Sequence, residues 1–367
     1  MQRYVERIHA VEFRGLERLR SSLAAGQGVL ITPNHCTYSD PYLIYEAADR
    51  VGAAAFFMTA WQVFGEANFI KQSVLQLHGA FSVDRDGTDR QAFRTGVEIL
   101  QTRREPLVVF PEGEMYRLGD RITPFHEGAA AMALSAARKS NRPIVCLPCG
   151  LKYYSLVDPT PYQADLLNRL ERALLWEPRP DLSTVERLYR LAEGVLALKE
   201  IEHVGATSAG PLPERLATLS DHLLRRLETR HGLASDGNSP QRVKRIRRHI
   251  VQRLSEPEVS ADELAPLTRD LDELFLTIQI FCYPGDYVRE KPTIGRICET
   301  LAKLEEDILK IPLVRPRVPQ GAIVSFGEPI TISRDVDKHA SAALTDQLEE
   351  QVQALLEGIE PPDPIRS

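Results

Sequence analysis

Long apolar runs are what this chain most plainly lacks, for no stretch approaches the roughly 20 apolar residues that a helix needs to cross a bilayer. Its start, Met1-Gln2-Arg3-Tyr4-Val5-Glu6, has no apolar core of the kind a secretory leader carries. A cytoplasmic location is therefore expected. Cysteine is scarce too. The five in 367 residues are an odd number scattered through the chain, which fits a reducing compartment better than a disulfide framework. Cys146 and Cys149 are the one close pair, in an apolar run that reads as a strand, where residues three apart point to opposite faces. One metal ion could not easily take both, so they read as packing residues. There is no P-loop, no Gly-x-Ser-x-Gly elbow, no full dinucleotide fingerprint and no internal repeat. Basic charge is not in excess either: a net charge of −6 argues against a general nucleic-acid binder.

What is there, 43% hydrophobic and 26% charged residues, marks a globular chain long enough for one large domain and a sizeable second element. Residues 3–24 carry a helical or mixed amphipathic pattern, and the first clear strand is Gln27 to Ile31. A helix is expected from Pro41 to about Asp49. Ala53 to Ile70 is rich in aromatics (Phe56, Phe57, Trp61, Phe64, Phe69) but interrupted by Gln62, Glu66 and Asn68. It reads as a core-facing segment, with an acyl-chain groove or a lipid-interface contact as the other reading. A strand follows Gly79, a helix runs from about Arg90 to Thr102, Leu107 to Phe110 is a dense apolar strand, Gly128 to Lys139 is an alanine-rich helix, and Pro143 to Leu147 is again strand-like. This alternation predicts an α/β fold with a mostly parallel sheet and helices on both faces. After about Ser155 the strand rhythm stops and charged amphipathic helices take over. It returns at Ala322 to Ile330, behind the proline-rich run Pro312 to Pro319. The expected organisation is a discontinuous α/β domain, 1–155 and 311–367, interrupted by a helical insertion, 156–310.

Within the α/β part, Asn34-His35-Cys36-Thr37-Tyr38-Ser39-Asp40 places an imidazole and a carboxylate five residues apart at a strand-to-helix corner. Such corners lie above the carboxyl end of a sheet, where α/β folds bind ligands. Pro41 suits the first helical position, so Asp40 can also be read as a plain N-cap and His35 as a loop histidine. Two more strand ends carry polar groups, Arg85 and Glu112 with Gly113, which favours a site over a cap.

In this order the blocks resemble the 1-acyl-glycerol-3-phosphate acyltransferase family of the glycerolipid acyltransferase superfamily. Asn34-His35 through Asp40 is similar to its Asn-His-x4-Asp signature. Gly79, Phe81 and Arg85 resemble its second block, Phe110-Pro111-Glu112-Gly113 its third, Ile144 through Pro148 its fourth, and Phe326 to Ile330 its final strand. The resemblance covers about 10–155 and 312–332 and leaves the helical insertion unexplained. It implies a glycerol-3-phosphate acyltransferase-like fold and transfer of an acyl group from acyl-CoA or acyl-carrier protein, as co-substrate, to a hydroxyl of a lysophospholipid-like acceptor. No metal or other cofactor is needed for that reaction. His35 would be the general base and Asp40 its orienting carboxylate. Arg85 would hold the acceptor's phosphate, Glu112 and Gly113 its glycerol part, and Asn34, Gly79, Phe81 and Arg117 are further candidates at the acceptor site. One departure stands out: the family follows Phe-Pro-Glu-Gly with Thr-Arg, whereas this chain has Glu114-Met115, with Arg117 and Arg121 the next cations. A different, non-phosphate lipid acceptor is the alternative that this favours; a catalytically idle membrane-associated binding protein is disfavoured by the intact His35 and Asp40. The lipid acceptor implies a peripheral contact with a membrane surface. Arg242 to Leu254, with six Lys or Arg and no acid, would supply it as a basic helix whose stripe Val243, Ile246, Ile250 and Leu254 enters the interface. The other reading packs that stripe on the insertion's own core.

Overall fold

A computed structural model of the chain describes residues 7–65, 69–84, 89–254, 260–311, 314–334 and 340–362. Two compact units emerge, 1–159 with 315–367 and 160–314.

The first unit is built from β1 (Ile8–Arg14), α1 (Leu16–Ala24), β2 (Gly28–Pro33), α2 (Asp40–Arg50), β3 (Phe56–Ala60), α3 (Trp61–Gly65), α4 (Phe69–Leu77), β4 (Ala80–Val83), α5 (Arg90–Thr102), β5 (Leu107–Val108), α6 (Gly128–Lys139) and β6 (Ile144–Ser155). The second unit supplies α7 (Thr160–Ala173), α8 (Thr184–Val204), α9 (Leu212–His231), α10 (Ser239–Leu254), α11 (Ala261–Phe281), α12 (Tyr287–Glu290) and α13 (Ile294–Leu309). The chain then returns to the first unit with β7 (Gln320–Phe326), β8 (Ile330–Thr331) and α14 (Ala340–Glu357).

The strands form one sheet in the order β1-β7-β6-β2-β5-β3-β4, with β8 also on β6. The β2 strand runs parallel to β5 and β6, and β3 parallel to β4 and β5, while β7 and β8 lie antiparallel on β6. Because side chains alternate along a strand, β2 sends Leu30 to one core and Val29 and Ile31 to the other. The first core is closed by α5, α6 and α14, through residues such as Ile99, Ala133 and Leu348, and the second by α1 and α2, through Leu19, Leu43 and Ile44. The α/β fold with helices on both faces is thus the observed one. Cys146 joins one core and Cys149 the other. Burial pushes the Cys146 thiol up to about 12 and holds Cys149 well above its ordinary value, so neither offers a thiolate.

Two expectations about the sequence change. The helical or mixed pattern read over residues 3–24 resolves, from residue 7 onward, into β1 followed by α1; this strand lies at the sheet edge, four of its seven residues part-buried and two exposed, and its partner β7 comes more than 300 residues later. The fourth-block strand does not end near Pro148 but continues to Ser155, because β7 takes over its pairing from Cys149 onward.

The basic helix α10 turns its stripe inward. Val243, Ile246 and Ile250 are buried against Leu224, Leu227, Leu267 and Leu274, with Leu254 packed alongside. Arg242 is buried and bonded to Glu228 and Asp221, Arg245 pairs with Asp236, and Arg253 with Glu263. The apolar stripe expected to enter a membrane is therefore used up in the core of its own unit.

Candidate active site

The loop after β2 is organised by the Asp40 carboxylate, which is fully buried. Its Oδ2 accepts the backbone N–H groups of Cys36 at 2.7 Å and Thr37 at 2.9 Å and lies 2.8 Å from His35 Nδ1. Its Oδ1 accepts the Tyr153 hydroxyl at 2.7 Å and the Thr37 hydroxyl at 3.3 Å. A burial cost of this kind is offset only where an ionised group has several donors. Asp40 is therefore no simple helix cap: it is the first residue of α2, the N-cap is Ser39 without a side-chain cap bond, and the carboxylate bonds back into the loop.

A carboxylate only accepts hydrogen bonds, so His35 donates from Nδ1, the tautomer that in a neutral ring leaves the lone pair on Nε2. The side chain is 23% exposed, and its ring packs 4.3 Å from that of Phe110. An imidazole so oriented at the carboxyl end of a parallel sheet, its Nε2 making no hydrogen bond among the described residues, can in its neutral form take a proton from a bound hydroxyl.

Glu112 enters from the loop after β5. It is buried, and both oxygens are engaged: Oε1 accepts the His35 backbone N–H at 2.7 Å, while Oε2 accepts the Thr123 N–H at 3.0 Å and hydroxyl at 2.6 Å. Burial pushes its carboxyl up to about 7, against the lowering effect of the Thr123 and His35 hydrogen bonds. In this structure Glu112 braces one motif loop against the other rather than presenting an unengaged carboxylate. Gly113 next to it has a φ of +75°, and a Cβ there would sit 2.6 Å from the His126 ring, so the turn accepts only glycine.

The remaining candidates separate. Asn34 is buried with its amide consumed by Leu151, accepting its N–H at 2.7 Å and donating to its carbonyl at 3.1 Å. Gly79 precedes β4, at the amino edge of the parallel strands and so opposite His35; its φ of +79° and the Ala55 carbonyl, 2.4 Å from where a Cβ would stand, give it a structural reason to be glycine. Phe81 packs against the core beside Met58. Neither Gly79 nor Phe81 joins the dyad. Arg117 adopts a left-handed backbone, φ 54°, and its guanidinium lies 5.9 Å from the ring of Tyr38 in the His35 loop. Arg85 lies outside the described residues.

Three residues of the site escaped the motif reading. Tyr153 and Thr123 bond the two carboxylates, and His126, anchored by its N–H to the Pro111 carbonyl at 2.8 Å, covers Gly113. For Tyr153 a signal existed: continuing the strand periodicity past Pro148 puts Tyr153 on the same face as Leu147, Cys149 and Leu151. Nothing local marks Thr123 or His126.

A histidine oriented by a buried carboxylate thus stands at the carboxyl edge of the parallel strands. Residues 10–152 match the family model described as Acyltransferase. The match supports acyl transfer in general, and a likeness to the acyltransferase superfamily, over those residues. It contains His35, Asp40 and Glu112 and stops one residue short of Tyr153. No curated protein matches the chain.

Proposed function

We propose that this protein is an O-acyltransferase of the 1-acyl-glycerol-3-phosphate type, moving a fatty acyl group from acyl-CoA or acyl-carrier protein to a hydroxyl of a lysophospholipid-like acceptor. The observation that carries the reading is the 2.8 Å contact between His35 Nδ1 and buried Asp40. The acceptor hydroxyl gives its proton to His35 Nε2 as its oxygen attacks the thioester carbonyl. The tetrahedral oxyanion then collapses, the thiolate leaves, and it takes the proton back from the imidazolium. Asp40 fixes the tautomer and balances the imidazolium charge between these steps. An activated thioester needs no covalent acyl-enzyme.

Arg85, in the position the resemblance assigns to phosphate, would fork onto the acceptor headgroup. The Glu114-Met115 departure supports a second reading, a non-phosphate lipid acceptor, because Met115 stands where the family has a cation and Glu114 adds a carboxylate beside it. No helix among the described residues is long and apolar enough to cross a membrane. Access to a lipid would thus be peripheral, on the cytoplasmic face, and the exposed side chains of Tyr38, Tyr42, Trp61 and Val63 support the α/β unit as the contacting part.

Mass-spectrometric assay of the purified protein against a panel of phosphate-bearing and neutral lysolipids, with both donors, tests the proposal. Acylation of the phosphate-bearing acceptor is expected. Acylation of neutral acceptors alone would select the second reading, and no product with any pair would overturn both.

A further inference from the structure

We propose that Tyr153 is a positioning residue of this acyl-transfer site, setting the plane of the Asp40 carboxylate and through it the imidazole of His35; the catalytic part of this inference rests on the function proposed above. The strand geometry puts Tyr153 where it can do so. Pairing of β2 with β6 ends at Pro33 and Cys149, yet β6 continues from Gly150 to Ser155 on its antiparallel partner β7. This overhang lies against the loop that follows β2. Leu151 bonds Asn34 at the loop's start with its backbone, and Tyr153, two residues on and on the same side, bonds Asp40 at its end.

The division of bonds on Asp40 gives Tyr153 its importance. Oδ2 holds His35 Nδ1 and two backbone N–H groups, all within 2.9 Å, whereas Oδ1 holds the Tyr153 hydroxyl at 2.7 Å and, more weakly, the Thr37 hydroxyl at 3.3 Å and the Cys36 thiol at 3.7 Å. Oδ2 is thus held by three donors, whereas the one short bond on Oδ1 comes from Tyr153. Holding the second oxygen as well steadies the carboxylate plane against the pull of the donors on Oδ2, and with it the His35 contact. Burial, and then the Asp40 charge, hold the Tyr153 hydroxyl well above the ordinary tyrosine range, so it remains a donor throughout the working pH. The ring itself packs against the core that holds Leu151 and Ala322, the cross-strand partner of Tyr153, so phenylalanine keeps the packing and loses only the hydroxyl.

Tyr153→Phe is therefore expected to lower kcat about ten- to a hundredfold, the size of a hydrogen bond to a charged group, with little change in KM for donor or acceptor. In an Asp40→Asn background the same substitution is expected to cost under about threefold, because residues that act through one another are not additive. A purely structural tyrosine would give equal losses in both backgrounds, and that result would overturn the proposal. A second readout is independent of substrate. In protein labelled with ¹⁵N-histidine, the His35 Nδ1–H resonance, assigned by its loss in His35→Gln, is expected to shift in Tyr153→Phe. An unmoved resonance overturns the proposal whatever the enzyme acylates. A shifted resonance in a protein that acylates nothing would uphold the Tyr153 to His35 linkage and overturn only the proposed function.

Discussion

Glu112 Oε1 accepts the backbone N–H of His35 at 2.7 Å, tying together two loops 77 residues apart in the chain. Since the same carboxylate holds Thr123 with its other oxygen, the position of His35 depends on a buried acid.

That acid gives the stability a pH dependence whose sign is fixed. Glu112 is raised from 4.5 to about 7 in the folded protein, so between those values the folded state binds more protons than the unfolded one. Its contribution is fully present below about 4.5 and lost as pH rises through about 7, a change on the order of 3 kcal/mol. Urea unfolding of the protein and of Glu112→Gln at pH 4.5, 6 and 8 measures it. The stability difference between the two is expected to shift against the parent by this amount as pH rises; a constant difference would contradict the assignment.

His35→Ala is expected to reduce acyl transfer by roughly 10² to 10⁴, the usual worth of a general base, with the fold intact because the ring is a part-exposed loop group. Asp40→Asn should cost less. Its amide oxygen can still accept from His35 Nδ1 and the two backbone N–H groups, while its NH2 meets the Tyr153 and Thr37 hydroxyls, which can also accept. Steady-state rates beside circular dichroism decide. Parent-like turnover by His35→Ala would remove the histidine from the mechanism.

For Arg85→Ala the expected result is a rise in KM that is larger for a phosphate-bearing lysolipid than for a neutral one, since a charge-assisted contact is lost only with the former. Matched KM changes for the two acceptors would mean that Arg85 does not read phosphate.

Membrane contact is expected to depend on the exposed rim of the α/β unit rather than on the basic helix. With Val243, Ile246 and Ile250 buried, the triple change of Arg245, Arg247 and Arg248 to glutamate should leave vesicle binding largely unaltered. Trp61→Ala combined with Val63→Ala should weaken it, because these side chains are 47% and 39% exposed. Co-sedimentation with anionic liposomes compares them; loss of binding in the triple variant alone would return the contact to α10.

Much of the fold was legible because its signals are local. The alanine-rich run over Gly128–Lys139 and the amphipathic run over Arg90–Thr102 show their period without help from the rest of the chain, and both helices have those ends. The segment Ile8–Arg14 was not legible as a strand, since its alternation is blurred at a sheet edge and its partner among the described residues is the distant β7. The overhang of β6 was hidden for a related reason: Pro148 interrupts the apolar run, while β7, which continues the pairing, arrives only after the whole helical unit.

The candidate site divides along the same line. By itself the sequence determined that an imidazole and a carboxylate share one short loop between a strand and a helix, because five residues around a turn leave few other arrangements. It also determined which strand residues face which core, since the period of a strand is two. Only the tertiary structure decided what surrounds them: Tyr153 on Asp40, Thr123 on Glu112, Glu112 on the His35 backbone and His126 over Gly113. It decided too that the stripe of α10 faces its own core instead of a bilayer. The physical reason is that a hydrogen-bond partner or a covered apolar face is chosen by whichever segment arrives there in space, and parallel pairing brings together segments with no fixed spacing in the chain.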